Sequence, residues 1–345
     1  MKKLLWALPV VALLTACGGR ESAGENAAAG GAAITGAGST FVYPVLAAWA
    51  SDYAGQTGTK VNYQSIGSGG GVSQVKAGTV DFGATDQPMA ADELAQSKLA
   101  QFPVVIGGIV AVVNLSGMEP GKLRLTGPVL ANIYAGKIKT WNDPAIVQAN
   151  PGMKLPSAAI AVVHRSDGSG TTFNFTHYLG QVSSAWKAGP GEGKTVAWPT
   201  GVGGKGNEGV AGYVKQIPNS IGYVEYAYAL QGGMTYAALQ NAAGSFVTPS
   251  AETFSNAAAS ADWANAKDFD LVMTNAPGAN AYPITATTFV LMPTSPADKA
   301  KSKAALDFFR YALEHGQEHA TKLDYVPLPA SLVQQIEAYV GQKIK

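Results

Sequence analysis

The chain alternates short apolar runs with longer stretches in which apolar residues recur every three or four positions. Runs rich in β-branched residues predict strands, and the longer spacing predicts amphipathic helices. In the first hundred residues the pattern predicts strands near Ile34 and over 60–66 and 79–84, with helices over 41–53, 70–76 and 92–98. Such alternation of strand and helix is typical of an α/β fold.

A second series of elements follows two β-rich runs, 102–106 and 109–113. Gly107 and Gly108 separate these runs, and we expect them to interrupt the strand and let the chain bend. Further on, the pattern predicts helices over 127–134, 172–179 and 207–216, strands over 158–164, 221–226 and 284–292, and mainly helical structure over 296–339. Because about 310 residues exceed what one hydrophobic core usually covers, two lobes are expected.

The N-terminus has the layout of an export signal. Two lysines precede an apolar stretch over 4–14, which is too short to span a bilayer. Residues 14–17 (LTAC) resemble a bacterial lipobox, so we interpret 1–16 as a lipoprotein signal peptide and Cys17 as the lipid-bearing residue. A cleaved signal that merely ends in cysteine is the alternative. Cys17 is the only cysteine in 345 residues, which excludes an intramolecular disulfide.

Composition narrows the classes of partner. Residues 17–33 are almost entirely Gly, Ala, Ser, Glu and Asn, which predicts a flexible linker. Removing the signal takes two lysines from the 24 basic residues and leaves 22 against 23 acidic ones. No basic run is visible, which argues against nucleic acid as a partner. Any anion site must therefore rely on local dipoles and not on a broad positive field.

One segment, 165–171 (RSDGSGT), concentrates groups that suit a small oxyanion just before a predicted helix. Glycines let the backbone approach a ligand closely, and the first N–H groups of a helix have no intrahelical partners. Arg165 adds a planar fork that can donate to two oxygens at once. Ser169 has Asp167 instead of glycine two positions earlier, so the segment does not fit a G-x-S-x-G nucleophile elbow.

Two other glycine and hydroxyl turns share this design, 36–41 (GAGSTF) and 67–71 (GSGGG). Any single turn of this kind is more simply explained as an ordinary helix N-cap. Three in one chain, one of them beside an arginine, favour anion binding.

Four segments resemble the ligand segments of the phosphate-binding proteins of bacterial ABC phosphate uptake systems. They are 35–41 (TGAGSTF), 63–71 (YQSIGSGGG), 80–86 (VDFGATD) and 163–171 (VHRSDGSGT). Segments 199–207 (PTGVGGKGN) and 221–228 (IGYVEYAY) match as well, and the similarity runs in order from about Ile34 to the C-terminus.

The resemblance implies a set of phosphate ligands. Thr40 and Ser68 would donate hydroxyls and Phe41 its main-chain N–H, while hydroxyl and amide donors would come from Ser169, Gly170 and Thr171. Arg165 would be the only cationic side chain on the ligand, and Asp167 would hold its guanidinium in place. An Asp167 that simply caps the following helix is the alternative.

Asp86 is the residue expected to determine specificity. A carboxylate beside an anion is repulsive unless the ligand carries a proton, which phosphate does at neutral pH and sulfate does not. Asp86 would then accept a hydrogen bond from the phosphate hydroxyl, and sites of this kind reject analogues without the hydroxyl by roughly 10⁴ to 10⁵-fold. On the residues alone, a cap of the turn before Pro88 is the commoner role, and the resemblance reverses that order.

Other motifs carry less weight. His315, Glu318 and His319 fit an H-x-x-E-H zinc motif, but no third ligand is evident. His164 is expected to point away from the ligand by strand alternation, and Ser39 is interpreted as a cap. The tyrosines at 223, 226 and 228 are interpreted as packing residues.

The resemblance implies a type II periplasmic-binding-protein fold with two α/β lobes, each a β-sheet flanked by helices. One lobe would comprise 34–107 and 283–345, and the other 108–282. The implied function is high-affinity phosphate binding in the interlobe cleft and delivery to an ABC permease in the inner membrane, by a monomer that a lipid on Cys17 anchors on the periplasmic side. No catalytic residue, cofactor or metal is expected. The alternatives are a binder of sulfate or molybdate and, in another class, a phosphatase.

Overall fold

The structure, a computed structural model, describes residues 33–345. The predicted signal peptide 1–16, Cys17 and all of the predicted linker except Ala33 lie outside the described residues. Within the described range, no helix combines the length and the apolar character that a membrane crossing needs.

Residues 33–345 contain strands of 2 to 15 residues. In chain order they are β1 (Ile34–Gly38), β2 (Val61–Ser65), β3 (Phe82–Thr85), β4 (Leu99–Val113), β5 (Arg124–Leu125), β6 (Ala161–Arg165), β7 (Val202–Gly204), β8 (Ser220–Glu225), β9 (Thr235–Tyr236), β10 (Ala238–Gln240), β11 (Phe246–Val247) and β12 (Thr285–Pro293). The longer strands match the predicted apolar runs. The short ones, β5, β7 and β9 to β11, were not predicted.

The helices of the described range are α1 (Tyr43–Thr57), α2 (Ser68–Lys76), α3 (Ala91–Ser97), α4 (Gly127–Tyr134), α5 (Pro144–Ala149), α6 (Gly170–Val182), α7 (Ser184–Ala188), α8 (Gly206–Gln216), α9 (Tyr226–Gln231), α10 (Ala251–Ala258), α11 (Lys299–Glu314), α12 (Gln317–Lys322) and α13 (Ala330–Lys343). A 3₁₀ turn lies at Lys267–Phe269. Two helices, α2 and α6, begin two residues earlier than predicted, which places candidate ligand residues in their first turns. The predicted C-terminal helical region is divided into three helices.

Most strands form one sheet in the order β2-β1-β3-β12-β4-β8-β6-β7, with β9 also paired to β4. Strands β11, β10 and β5 form a small second sheet. In the large sheet, β1 is parallel to β2 and β3, and β6 is parallel to β7 and β8, whereas β12 and β4 run antiparallel to their neighbours. We call β2, β1, β3 and β12 the first strand group, and β8, β6 and β7 the second.

The long strand β4 belongs to both groups. It pairs with β12 from Leu99 to Gly108 and with β8 from Ile109 to Val113. The predicted interruption at Gly107 and Gly108 is therefore wrong, because β4 is continuous through both glycines.

Close packing of aromatic rings explains the two glycines. A Cβ on Gly108 would lie 2.1 Å from the Phe254 ring, and one on Gly107 would lie 2.9 Å from the Phe41 ring. Glycine at these positions lets rings lie directly against the strand. Buried apolar residues on both sides of β4 accordingly form one continuous cluster.

The candidate ligand residues lie where strands end. The parallel strands β1, β2 and β3 lead into segments 39–41, 66–68 and 86–88, and β6 ends at Arg165. Carboxyl ends of parallel strands meet at one edge of a sheet, which is where α/β proteins commonly bind ligands. Each strand group thus delivers part of the candidate site to this edge.

Candidate oxyanion site

The structure brings the predicted ligand residues together in a buried cluster. Each of these residues has at most 3% relative exposure, and the set comprises Thr40, Phe41, Ser68, Asp86, Arg165, Ser169 and Thr171, with Gly170 also buried. Residues that follow strands of the first group contact the 165–171 segment directly through hydrogen bonds.

Ser68 connects the two strand groups. Its Oγ accepts hydrogen bonds from the main-chain N–H groups of Gly170 at 3.0 Å and Asp86 at 3.3 Å, and it lies 3.4 Å from Asp86 Oδ2. Beside it, the N–H of Gly69 donates to the carbonyl of Gly168 at 2.8 Å. The first turn of α2 therefore contacts the N-terminal end of α6 through backbone as well as side chain.

Arg165 is held by Asp167 in a two-point pairing. Nε donates to Oδ1 at 2.8 Å and Nη2 donates to Oδ2 at 2.6 Å, while the N–H of Gly206 donates to Oδ1 at 3.0 Å. Burial acts to raise the pKa of Asp167, but the hydrogen bonds and charge of Arg165 outweigh it and hold that pKa below its ordinary value. Once its bond to Thr171 is counted, two N–H groups of the guanidinium, one on each terminal nitrogen, have no acceptor within residues 33–345.

The alternative role for Asp167, a cap of α6, is wrong. Ser169 is the N-cap residue, and its Oγ accepts from the N–H of Thr172 at 3.0 Å. Since that bond uses a lone pair of Ser169 Oγ, the hydroxyl proton of Ser169 remains to donate. The main-chain N–H of Ser169 is already paired with the carbonyl of Lys194 at 2.9 Å.

Thr40 and Thr171 share one partner, Asn207. Thr40 Oγ1 accepts from the main-chain N–H of Asn207 at 3.1 Å and from Nδ2 at 2.7 Å. Thr171 Oγ1 accepts from Asn207 Nδ2 and from Arg165 Nη1, each at 3.3 Å. The N–H of Glu225 donates to Asn207 Oδ1 at 2.9 Å, which fixes the orientation of the amide.

This arrangement decides how the two threonines can act. A hydroxyl has two lone pairs and one proton, and both lone pairs of Thr40 Oγ1 and of Thr171 Oγ1 are taken by N–H donors. Within residues 33–345 neither hydroxyl has an acceptor for its own proton. Both can therefore serve a ligand only as donors, which suits an anion.

Phe41 lies at the same edge, with its N–H engaged locally. That N–H donates to Ser39 Oγ at 3.0 Å, and the carbonyl of Phe41 accepts from the hydroxyl of Tyr325 at 2.6 Å. Ser39 thus bonds a nearby amide but does not cap α1, whose N-cap residue is Val42 and has no side-chain cap. Its hydroxyl also donates to Asp86 Oδ1 at 2.6 Å, a contact that the sequence did not predict.

Asp86 is surrounded by donors. Oδ1 accepts from Ser39 and, at 2.7 Å, from the hydroxyl of Thr288, and its main-chain carbonyl accepts from Asn174 Nδ2 at 2.6 Å. Burial raises the pKa of Asp86 to about 6, against the hydrogen bonds from Ser39 and Thr288 and the charge of Arg165, which lower it. The alternative role as a turn cap falls to Thr85, whose Oγ1 accepts from the N–H of Gln87 at 3.2 Å.

A second buried carboxyl, Glu225, lies behind the site. Its Oε2 accepts from the N–H of Ala227 at 2.9 Å and lies 2.9 Å from the hydroxyl oxygen of Tyr325, whose single proton is donated to the carbonyl of Phe41. Its Oε1 has no partner among residues 33–345. Burial raises the pKa of Glu225 well above its ordinary value, because ionisation would leave charge in an apolar interior.

Sequence reasoning missed several residues that organise the site, namely Asn174, Asn207 and Thr288. Asn207 closes the quoted segment 199–207, which was the available signal, whereas nothing marked Thr288 among the threonines of β12. The tyrosines interpreted as packing residues also contribute. Tyr223 and Tyr228 bond the main chain of site residues, the N–H of Arg165 at 3.1 Å and the carbonyl of Thr40 at 2.6 Å respectively.

The histidines of the other motifs make separate contacts, except that His164 Nδ1 lies 2.9 Å from the carbonyl oxygen of Arg165. His164 stacks on Trp198, with 4.8 Å between ring centroids. His319 pairs with Asp52 at 3.2 Å and Glu318 with Lys322 at 2.7 Å. In the described part of the chain, no group of three His, Cys, Asp or Glu side chains has an arrangement that suits a metal ion.

Known proteins resemble this chain over most of its length. The family described as the PBP superfamily domain matches residues 23–315. The phosphate-binding protein PstS of Xylella fastidiosa (strain Temecula1) is 62% identical over 312 residues, which cover 90% of this chain and 86% of that protein. The phosphate-binding protein PstS of Haemophilus influenzae is 54% identical over 312 residues, 90% of this chain and 93% of that protein.

Solved structures share the fold at lower identity. A human phosphate binding apolipoprotein has a TM-score of 0.71 at 19% identity and covers 88% of this chain and 93% of its own. A putative phosphate ABC transporter substrate-binding protein with bound phosphate, from Clostridium perfringens, has a TM-score of 0.63 at 20% identity and covers 86% of this chain and all of its own. With the identities to the two PstS proteins, the chain belongs to the PBP superfamily and, within it, to the family of phosphate-binding proteins PstS.

Proposed function

We propose that this protein binds inorganic phosphate at the candidate oxyanion site and delivers it to a membrane ABC permease, without catalysing a reaction. The observation that carries the proposal is the lone-pair count at Thr40 and Thr171, whose hydroxyls are left as donors only. Together with the hydroxyl of Ser169 and two free N–H groups on Arg165, they form a set of donors for one tetrahedral anion. The name that the closely related proteins carry supports phosphate as that anion.

Charges in the site favour a protonated oxyanion over an unprotonated one. Arg165 contributes one positive charge, Asp167 balances it, and an ionised Asp86 leaves the site with a net negative charge. Attraction must therefore come from oriented N–H and O–H dipoles. An acceptor such as Asp86 is useful only if the ligand itself has a proton to donate, as phosphate does.

The proposed phosphate ligands are Thr40, Phe41, Ser68, Asp86, Arg165, Ser169, Gly170 and Thr171, with Asp167 in support. Some of their donors are paired with other protein groups here, for example the N–H of Gly170 with Ser68 and that of Phe41 with Ser39. Phosphate would exchange these bonds for its own. Since charge-assisted hydrogen bonds are about twice as strong as neutral ones, the exchange is favourable.

We further propose that residues 34–107 with 283–345 form one lobe and 108–282 the other. The change of partner along β4, from β12 to β8 between Gly108 and Ile109, supports this division. Thr40, Ser68 and Asp86 then lie on one lobe and the 165–171 segment on the other. A ligand that contacts both lobes stabilises the closed arrangement, by hinge motion.

The proposed setting is the periplasmic side of a bacterial envelope. Cleavage after residue 16 would leave Cys17 as a lipidated N-terminus, and residues 17–33 would give the folded part reach from the membrane. The proposed partners are phosphate, the permease and the membrane lipid, with the protein itself a monomer.

Titration calorimetry of the purified mature protein with phosphate, sulfate and arsenate tests the proposal. We expect tight phosphate binding and also arsenate binding, because arsenate carries a proton as phosphate does. Sulfate binding should be weaker than phosphate binding by roughly 10⁴-fold or more at neutral pH. Sulfate binding as tight as phosphate binding would favour the alternative of a general oxyanion binder. Molybdate, added as a competitor, tests the other alternative in the same assay.

Turnover separates a binding protein from an enzyme. The phosphatase alternative requires a general base beside Ser169 or a metal-bound nucleophile. In the structure, the contacts of Ser169 Oγ and N–H are with Thr172 and Lys194. Steady hydrolysis of a chromogenic phosphate ester by the purified protein, with a burst of product, would count against the proposed function.

A further inference from the structure

We propose that Ser39 and Thr288 are positioning residues that set the selectivity of the site, by holding Asp86 as a hydrogen-bond acceptor toward the ligand. The proposal rests on the proposed function and deepens it. It assigns a role to one oxygen of Asp86 and to two hydroxyls that are not themselves ligands.

Both hydroxyls donate to the same carboxylate oxygen. Ser39 Oγ lies 2.6 Å and Thr288 Oγ1 lies 2.7 Å from Asp86 Oδ1, and all three residues are buried. Ser39 also accepts from the N–H of Phe41 at 3.0 Å, which directs its single proton toward Asp86. These are short bonds of the kind made to an ionised acceptor.

The other oxygen of Asp86, Oδ2, faces the candidate ligand residues. Its hydrogen-bond contact is with Ser68 Oγ at a long 3.4 Å, and a Cβ on Gly170 would lie 2.7 Å from it. With Oδ1 occupied by two hydroxyls, the lone pairs of Oδ2 are the ones that can accept from a ligand. The two hydroxyls thereby orient the carboxylate of Asp86 and leave Oδ2 as the oxygen that accepts from the ligand.

The same bonds oppose protonation of Asp86. Both hydroxyls bond more strongly to a carboxylate than to a neutral acid, so a proton on Oδ2, the oxygen that faces the ligand, would weaken the two bonds to Oδ1. Burial is the largest influence and raises the pKa of Asp86 to about 6. The hydrogen bonds from Ser39, Thr288 and Ser68 and the charge of Arg165 act in the opposite direction and lower this pKa.

Three other titratable groups, all buried and acidic, lie close enough to Asp86 to feel its charge. Glu225 on β8, Tyr63 on β2 and Tyr325 each feel the charge of Asp86, which raises their pKa further. Burial also raises the pKa of all three, which disfavours a negative charge on them beside Asp86. Arg165 is therefore the charged side chain among these groups that favours ionised Asp86.

Protonation of Asp86 would reverse its selectivity. An ionised Asp86 accepts from the hydroxyl of phosphate and repels sulfate, whereas a protonated Asp86 donates and can bond a sulfate oxygen. Sulfate has no proton to lose near neutral pH, so the pH dependence of sulfate affinity reports the protonation of the protein. Removing either hydroxyl should therefore let sulfate bind at a higher pH.

The experiment measures sulfate affinity by calorimetry across the range from about one unit below to two units above the pKa of Asp86, near 6. In the unchanged protein, sulfate affinity should fall about tenfold per pH unit above that pKa. In Ser39→Ala and Thr288→Val, the pH at which the fall begins should shift upward by roughly one unit, so that sulfate binds roughly fivefold tighter at neutral pH.

Control variants separate positioning from packing. Thr288→Ser keeps the hydroxyl on Asp86 and should keep the pH profile of the unchanged protein. Thr285→Val removes another buried hydroxyl of β12, one that bonds the carbonyl of Tyr282 at 3.1 Å, and should leave the profile unshifted. Asp86→Asn sets the limit, with sulfate affinity that no longer depends on pH.

Profiles of Ser39→Ala and Thr288→Val that coincide with that of the unchanged protein would overturn the proposal, as would an equal shift in Thr285→Val. Sulfate binding that stays undetectable in Asp86→Asn would overturn it too, since Asp86 would then not be the discriminating group. Phosphate titration of the unchanged protein at neutral pH tests the proposed function separately. If the unchanged protein does not bind phosphate, the proposed function is wrong. If the variants bind phosphate but their sulfate profiles are unshifted, only the role of Ser39 and Thr288 is wrong.

Discussion

The main-chain N–H of Gly170 donates a hydrogen bond of 3.0 Å to Ser68 Oγ, which joins the first turn of α6 to the first turn of α2. Segments more than a hundred residues apart along the chain meet at this bond. The same glycine lies against Asp86, since a Cβ added to it would come within 2.6 to 2.7 Å of that residue. Contact between the strand groups thus depends on the absence of a side chain at 170.

Gly170→Ala should weaken phosphate binding because the new methyl group pushes α6 away from Asp86 and Ser68. Overpacking of this kind costs about 1 to 3 kcal/mol, which corresponds to a loss of roughly 5- to 150-fold in affinity. Calorimetric titration measures the loss. Gly212→Ala is the matched control, since a Cβ there meets nothing within 4 Å on α8, and it should keep full affinity.

Arg165→Ala should weaken phosphate binding by about 100-fold or more, because two charge-assisted hydrogen bonds to the ligand are lost. Its partner Asp167 would also remain without its counter-charge, so a lower melting temperature is expected. Arg310→Ala removes an arginine that pairs with Asp307 and Glu337 instead, and it should leave affinity unchanged. Equal phosphate affinity in Arg165→Ala and the unchanged protein would count strongly against the site.

Asn207→Asp should weaken phosphate binding by roughly 10- to 100-fold, because the hydroxyls of Thr40 and Thr171 would no longer donate to the phosphate. The amide donates to Thr40 and Thr171, whereas a carboxylate would accept their protons and turn them from the ligand. Asn62→Asp makes the same chemical change on an exposed residue of β2 and serves as the control. If both variants bind phosphate equally, the donor-only role of the two threonines is wrong.

Glu225→Gln should change how stability depends on pH. Burial holds the pKa of Glu225 above its unfolded value, so the folded state retains a proton that the unfolded state loses. This contribution to stability is complete below the unfolded pKa, about 4.3, and is lost as the pH rises toward the folded pKa. Glutamine has no such loss, so the melting temperature of the variant relative to the unchanged protein should rise with pH.

Thermal unfolding at about pH 5 and about pH 8 measures this difference. Glu119→Gln, on an exposed residue, is the matched control and should show no comparable change between the two pH values. A constant difference for Glu225→Gln across the range would mean that Glu225 is ionised in the folded protein.

Local sequence predicted the parts of the site that are local. Turns of glycine and hydroxyl residues at 36–41, 67–71 and 165–171 are recognisable because each prepares a strand end or a helix start within a few residues. Contacts between residues that are far apart in the sequence gave no such signal. Asn207 meets Thr40 across 167 residues, and Thr288 meets Asp86 across 202, so neither pairing has a spacing that a pattern could reveal.

The fold shows the same division. The longer strands, of four or more residues, gave a pattern that could be recognised, whereas β5, β7 and β9 to β11 have only two or three residues, too few to show alternation. Gly107 and Gly108 misled the prediction because glycine commonly interrupts strands. Their actual reason, the rings of Phe41 and Phe254 lying against β4, comes from residues distant in the chain.

The strand β4 also determines how the molecule comes apart. One segment supplies hydrogen bonds to β12 at one end and to β8 at the other, so neither strand group can lose its order while the other keeps all of its pairing. We therefore expect the two strand groups to unfold together. We also expect amide protons along β4 to exchange more slowly when phosphate is bound.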